Sequence, residues 1–213
     1  MQLITDRQRG PQDLLFGLAR AVAAGVRWVQ IRDKRAPAEQ LYRFGRQLQE
    51  DRRFVGISLF VNDRADVALA LDAAGVHLAK KSLPPAAVRR FFPPQKYIGV
   101  SVHSLEEAVR AAAEGADYLT FGHVYATASH PGVPPREVGM LREVVEAVPC
   151  PVLAIGGITA ENVAEVLETG CAGVAVIGAI LQAPDPYRAT RRLLEAMADA
   201  KAVPKKPFVL TGK

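Results

Sequence analysis

Short apolar runs alternate with longer amphipathic stretches along almost the whole chain. The runs are Gln2–Thr5, Trp28–Ile31, Ser58–Val61, Gly75–Leu78, Tyr97–Val100, Tyr118–Phe121, Pro151–Ala154 and Gly173–Val176. Apolar segments this short, bounded by turn residues, suit strands buried on both faces. Between them lie helical patterns, among them Leu14–Ala24, Ala38–Glu50, Leu105–Glu114, Met140–Val148 and Ala160–Glu168. Several helices end in glycine just before the next strand, at Gly25, Gly75, Gly115 and Gly170. Glycine takes the left-handed conformation that terminates a helix. The recurring phrase Ala-Gly-Val, or Gly-Ala-Asp-Tyr, before a strand marks a degenerate repeat of one βα unit.

Eight such units are enough to close a parallel barrel. The open doubly wound sheet is the alternative, but it carries a glycine-rich turn after its first strand, and Thr5-Asp6-Arg7-Gln8 is not one. The expectation is an α/β fold, a (β/α)8 barrel forming one domain over residues 1–200. Residues 201–213 fall outside the repeat, as a flexible tail or a strand-like segment that pairs with something.

Composition narrows the class. Hydrophobic residues make up 49% and charged residues 23%, as in a soluble enzyme. The formal charge, 27 − 22 = +5, is spread along the chain, and no aromatic-interleaved basic patch or helix-turn-helix pattern suggests a nucleic-acid partner. Cys150 and Cys171 lack metal or redox spacing, which points to a reduced, cytoplasmic setting. The N-terminal residues do not read as a signal peptide. No run approaches the roughly 18 apolar residues of a membrane span. A homodimer is the base-rate expectation for a small barrel.

In a barrel, chemistry gathers where strands end. Those positions carry Gln30, Arg32 and Lys34; Asn62 and Asp63; His77; Ser101 and His103; Gly122 and His123; Gly156 and Gly157; Ile177 and Gly178. The glycines after strands seven and eight let backbone N–H groups approach an anion, so Gly156, Gly157, Ile177 and Gly178 form a candidate phosphate site. Strand alternation puts Gln30 and Arg32 on one side, where arginine grips carboxylate or phosphate. Lys34 reads equally as part of that grip or as a solvated charge.

Four histidines are few enough to weigh singly. His77 reads as a satisfied core residue facing inward. His103 precedes a capping box, Ser104 with Glu107, and reads as structural. His130 lies in a polar loop, 127–136, long enough to act as a lid. His123 leaves the sixth strand at the mouth, where a neutral imidazole can take and return a proton.

Taken together, Leu3-Ile4-Thr5-Asp6, Val29-Gln30-Ile31-Arg32-Asp33-Lys34, Val61-Asn62-Asp63-Arg64, Gly75-Val76-His77-Leu78, Ile98-Gly99-Val100-Ser101-Val102-His103, Gly115-Ala116-Asp117-Tyr118 and Ala154-Ile155-Gly156-Gly157-Ile158 resemble the thiamin phosphate synthase superfamily, over roughly Leu3 to Ile180. The resemblance implies a (β/α)8 barrel and a small-molecule thiazole phosphate ligand. Its synthases join a pyrimidine pyrophosphate to a thiazole phosphate with magnesium. They use an aspartate in a Gly-Gln-x-Asp pattern and a lysine-bearing loop after the sixth strand. Here Ala79-Lys80-Lys81-Ser82 and Gly122-His123-Val124-Tyr125-Ala126-Thr127-Ala128-Ser129 stand in those places, without the aspartate or the lysine.

The phrases Ser101-Val102-His103-Ser104-Leu105-Glu106-Glu107-Ala108 and Phe121-Gly122-His123-Val124 resemble the TenI branch, the thiazole tautomerases. That resemblance implies an isomerase with His123 as acid–base, no metal and no cofactor, and Gln30, Arg32, Lys34, Asn62, Ser101 and Gly122 around the substrate. The expected function is therefore tautomerisation of a thiazole carboxylate phosphate. The alternatives are the magnesium-dependent synthase and a non-catalytic TenI-type regulator.

Overall fold

The computed structural model describes residues 1–5, 11–129 and 131–210. The eight expected strands form, and they close: β1 (Gln2–Ile4), β2 (Trp28–Ile31), β3 (Ser58–Asn62), β4 (Gly75–Leu78), β5 (Tyr97–Val102), β6 (Tyr118–Gly122), β7 (Val152–Ile155) and β8 (Gly173–Val176). Each pairs in parallel with its sequence neighbour, and β1 pairs with β8. The helices α1 (Pro11–Ala23), α2 (Ala38–Glu50), α3 (Ala65–Ala70), α4 (Pro85–Arg89), α5 (Leu105–Ala113), α6 (Glu137–Ala147), α7 (Val163–Leu167), α8 (Gly178–Leu181) and α9 (Pro186–Asp199) follow the strands. This is the (β/α)8 barrel that the hydrophobic pattern implies.

The period-two alternation of the strands sorts the core into two clusters. Outward residues such as Val29, Ile31, Val61, Val76, Ile98, Leu119, Ala154 and Val174 pack against the helices in one large cluster. Inward residues at the starts of the strands form a second: Trp28, Phe60, Tyr97, Tyr118 and Leu153. Trp28 meets Tyr118 edge-on at 5.0 Å between ring centroids, and Phe60 at 5.2 Å. Such large rings fit only because their neighbours are glycines. A Cβ at Gly99 would lie 2.1 Å from the Tyr118 ring, and one at Gly75 2.5 Å from that of Phe60.

Residues 201–210 run beneath this aromatic layer. Their exposure alternates residue by residue, as in an extended segment with one side against the protein, although no described residue there is in a strand. Phe208 reaches the bottom of the barrel, with its ring 5.0 Å from Trp28, 5.0 Å from Tyr118 and 5.3 Å from Tyr97. The segment is tied down by Lys205 N–H donating to the Gly170 carbonyl (2.9 Å) and by the Lys205 ammonium on Glu146 (2.8 Å). Residues 201–210 thus lie against the barrel without forming a strand. They are held by side chains and by the backbone hydrogen bond to Gly170.

Capping also follows the sequence. Glu107 N–H donates to Ser104 Oγ (3.2 Å), while the Glu107 carboxylate accepts from His103 N–H (2.7 Å) at the start of α5. No described helix is long and apolar enough to cross a membrane.

Phe208→Ala removes a half-buried ring from three aromatic neighbours. It should lower unfolding free energy by about 1–3 kcal/mol in urea titration, below the full cost of a wholly buried phenylalanine. An unchanged midpoint would mean that the barrel closes without its C-terminal segment.

Candidate active site

Above the aromatic layer the inward side chains turn polar, and one buried chain of hydrogen bonds links them. The Gln2 amide Nε2 donates to the Tyr118 hydroxyl (3.3 Å), which lies 3.0 Å from His77 Nδ1. His77 Nε2 lies 2.8 Å from Ser101 Oγ and 3.2 Å from Thr120 Oγ1. Tyr118 already accepts from Gln2, so its own proton goes to Nδ1 and the imidazole carries its hydrogen on Nε2. His77 thereby donates to Ser101, whose hydroxyl proton is left for Thr120 Oγ1 (3.3 Å) or for a bound molecule.

Burial pushes the His77 imidazole down to about 3, with the Arg32 charge as a further cause. Burial also holds the Tyr118 hydroxyl above the usual phenol range. The network is therefore neutral at physiological pH.

Over this floor opens a cavity of 780 Å³, lined by the ends of the strands and the loops that follow them. Every residue expected at the site lines it: Gln30, Arg32, Lys34, Asn62, Ser101, Gly122, His123, Gly156, Gly157, Ile177 and Gly178. Gln30 Nε2 donates to Asn62 Oδ1 (3.2 Å), and Gln30 Oε1 is a buried acceptor with no partner among the described residues. The backbone of Arg32 is fixed by its N–H donating to Thr5 Oγ1 (2.8 Å). Lys80 and Lys81 also line the cavity; strand-end reading passed them over because they lie beyond β4, in the turn that follows it. Arg32, Lys34, Lys80 and Lys81, from the segments after β2 and β4, thus line the cavity together, and no carboxylate is among the described lining residues.

The loop after β7 needs its glycines. Gly157 has φ +66°, and a Cβ there would meet the Ala126 carbonyl oxygen at 2.5 Å and Tyr125 Cβ at 2.7 Å. Gly156 has φ +100° and lies against His123, whose Cβ would be 2.2 Å from an added methyl. The loop after β7 therefore interlocks with the segment that leaves β6. Asn162 completes the brace, donating to the Gly157 carbonyl (3.0 Å) and accepting from Thr159 N–H (2.9 Å).

His123 is buried, and its Nε2 lies 3.1 Å from the Val133 carbonyl. This nitrogen donates to the loop that follows β6, so the imidazole anchors that loop as well as lining the cavity. His103 Nδ1 contacts the Gly122 carbonyl at 2.6 Å, in keeping with a structural part. His130 lies outside the described residues.

One corner departs from a simple anion cradle. Ser82 Oγ donates to Asp63 Oδ1 (2.5 Å) and accepts from Ala79 N–H (2.8 Å). Lys81 Nζ lies 3.5 Å from Asp63 Oδ2. Among the described residues no three of His, Cys, Asp and Glu gather closely enough to hold a metal.

The site is the strand-end cavity of a closed parallel barrel, lined by cations and glycine loops, and comparison with known proteins narrows the class. Residues 1–180 match the family model described as thiamine monophosphate synthase, and the chain belongs to that family. It is 44% identical to a thiamine-phosphate synthase of Roseiflexus castenholzii, over 92% of this chain and 87% of that protein. It is 42% identical to one of Desulfitobacterium hafniense, over 92% and 95%. Among solved structures, the thiamine phosphate pyrophosphorylase of Pyrococcus furiosus superposes with a TM-score of 0.83 at 39% identity, covering 94% of this chain and 96% of that one. Similarity to 3-hexulose-6-phosphate synthase, at 16% identity and TM-score 0.68, reflects the fold alone.

These relatives overturn the isomerase expectation. They are named as synthases, which are transferases, and the identity extends over nearly the whole chain. The tautomerase reading rested on a few phrases around Ser101–Ala108 and Phe121–Val124 and on two departures, at Ser82 and in the loop after β6.

Two outcomes follow from this geometry. Gly157→Ala should cost roughly 1–3 kcal/mol of stability, since it combines a left-handed backbone with a backbone clash. Gly139→Ala, in α6 with open space around it, should be neutral or slightly stabilising. Chemical denaturation of both variants checks the contrast.

The second outcome concerns pH. The folded pKa of His77 lies below the unfolded value near 6.5, so the unfolded chain binds the extra proton. Stability is unaffected above about pH 6.5 and should fall by roughly 1 kcal/mol per unit between there and pH 3. His77→Gln should flatten that limb in a pH series of urea midpoints; a limb identical to wild type would exclude His77 as its source.

Proposed function

We propose that this protein is a thiamine-phosphate synthase, joining a pyrimidine pyrophosphate to a thiazole phosphate with release of pyrophosphate. The observation that carries the reading is the carboxylate-free wall of Arg32, Lys34, Lys80 and Lys81 around a cavity with two glycine loops. Two substrates bearing a phosphate and a pyrophosphate bring several negative charges into one space, and a wall of cations offsets them. The volume falls within the range of small-molecule sites. The named activity of relatives above 40% identity supports the same reading.

In this proposal Gly156, Gly157, Ile177 and Gly178 hold the thiazole phosphate through backbone N–H groups. The buried Gln30 acceptor takes an N–H of the substrate ring, with Asn62 holding the amide in place. Ser101, oriented by His77, offers its hydroxyl proton. The C–O bond to pyrophosphate breaks as the thiazole nitrogen bonds to the same carbon, so negative charge grows on the departing oxygen. Arg32 and the neighbouring lysines stabilise that charge most where it develops most. His123 acts as a positioning residue, holding the loop after β6 over the mouth.

The resemblance implies magnesium for this reaction. The residues present do not fit it. Magnesium calls for oxygen ligands in near-octahedral array, commonly carboxylates together with substrate phosphate. The carboxylate at that corner, Asp63, is already engaged by Ser82 and by the Lys81 ammonium.

Incubation of the pure protein with both substrates should release pyrophosphate and form thiamine phosphate well above the buffer rate. Arg32→Ala should lower kcat/KM by about 10²-fold or more, the usual loss when one stabiliser of developing charge is removed. No product above background, with the fold intact, would reject the synthase reading.

A further inference from the structure

The misfit between the implied magnesium and the Asp63 corner has a positive counterpart. We infer that the chain binds the pyrophosphate group without a divalent metal, through the Lys80–Lys81 turn after β4, with Lys81 supplying at Asp63 the charge a metal would bring. The inference rests on the synthase reading for its choice of anion.

Three observations converge on that turn. First, it is built rather than loose: Ser82 N–H donates to the Ala79 carbonyl (2.8 Å), and Ala79 N–H donates back to Ser82 Oγ (2.8 Å). Asp63 is held from below, its N–H donating to the His77 carbonyl (2.8 Å). Second, both carboxylate oxygens of Asp63 are engaged, Oδ1 by the Ser82 hydroxyl and Oδ2 by the Lys81 ammonium. A serine at position 82 is a neutral donor to Asp63, where a second acid would have repelled it. The corner is thus arranged around one negative and one positive charge, with no surplus of negative charge to hold a dication. Third, Lys80 and Lys81 line the same cavity as Arg32 and Lys34, with no carboxylate among the described lining residues.

Lys81 can serve a ligand while it stays beside Asp63. Its side chain is 65% exposed and an ammonium carries three N–H donors, so a phosphate oxygen can be met without giving up the carboxylate. An ammonium on a flexible stem is a point-charge binder of phosphate oxygens. Lys80 and Lys81 together carry the +2 of one dication.

The test uses inorganic pyrophosphate as the probe and the whole chain as the protein. Calorimetric titration in EDTA should show saturable binding, within about threefold of the affinity measured in excess magnesium. Lys81→Ala should weaken binding in EDTA about tenfold or more, as expected for one charged hydrogen bond lost. Lys81→Arg should stay within a few-fold of wild type, and circular dichroism of both variants checks the fold. Ser82→Asp should weaken binding in EDTA and make it respond to magnesium.

The inference is overturned if wild-type affinity rises more than tenfold with magnesium. It is equally overturned if Lys81→Ala binds pyrophosphate in EDTA as wild type does. Binding of the probe needs neither organic substrate, so the result stands apart from the coupling assay, and either reading can fail without the other.

Discussion

A closed eight-stranded barrel has an interior that must be filled or hydrogen-bonded at every level, and His77 occupies the level on which the rest depends. Below it, the rings of Trp28, Phe60, Tyr97 and Tyr118 fill the interior, and glycines at positions 75 and 99 give the rings their room. Above it, the inward side chains become small or polar, and the space they leave is the cavity. A single buried imidazole joins the two regimes. One nitrogen accepts from the Tyr118 hydroxyl at the top of the aromatic layer, and the other donates to Ser101 at the floor of the cavity. Replacing it with an apolar residue would leave Tyr118 without its acceptor and Ser101 without its orienting donor, and buried polar groups stranded in this way are costly.

Much of this architecture is legible in the sequence, for a simple reason. Strands buried on both faces appear as apolar runs, and three of the eight runs coincide with strands residue for residue, Trp28–Ile31, Gly75–Leu78 and Gly173–Val176, while the strands Ser58–Asn62 and Tyr118–Gly122 each go one residue further than their runs. The residues at the strand exits then line the mouth because the barrel leaves them nowhere else to point. Less legible are features that depend on distant parts of the chain. Phe208 looks like part of a charged tail until the barrel exists for it to plug. Lys80 and Lys81 enter the sequence only as a departure from the Gly-Gln-x-Asp pattern, and it is the fold that brings them to line the cavity. The bond from His123 to Val133 spans ten residues of irregular loop, and no periodicity announces it.

The functional error has a physical lesson of the same kind. Loss of an aspartate at position 82 and of a lysine after β6 reads as loss of a reaction only if each charge must come from one fixed position. Electrostatic stabilisation depends on where charge stands in space, and several positions around a barrel mouth can deliver it to one point. Arg32, Lys34, Lys80 and Lys81 still line one cavity despite both departures. The short phrases shared with another branch of the superfamily report local loop structure, such as the His103 and His123 contacts to backbone carbonyls, as much as chemistry.

The same cations act on the core beneath them. Arg32 is one cause of the lowered His77 pKa, so the ligand site and the buried network are electrostatically coupled. An anion bound at Arg32 would relieve that repulsion and raise the imidazole towards its ordinary value. Starting from about 3, with desolvation as the larger cause, the shift leaves His77 neutral at physiological pH. Binding therefore changes neither the charge nor the tautomer of the floor, and Ser101 presents the same hydroxyl before and after the ligand arrives. A histidine nearer its ordinary pKa would gain a proton as the anion entered, turn from acceptor to donor at Tyr118, and break the chain that positions the site. Deep burial of His77 is thus what permits a strongly cationic mouth to sit directly above a hydrogen-bonded core.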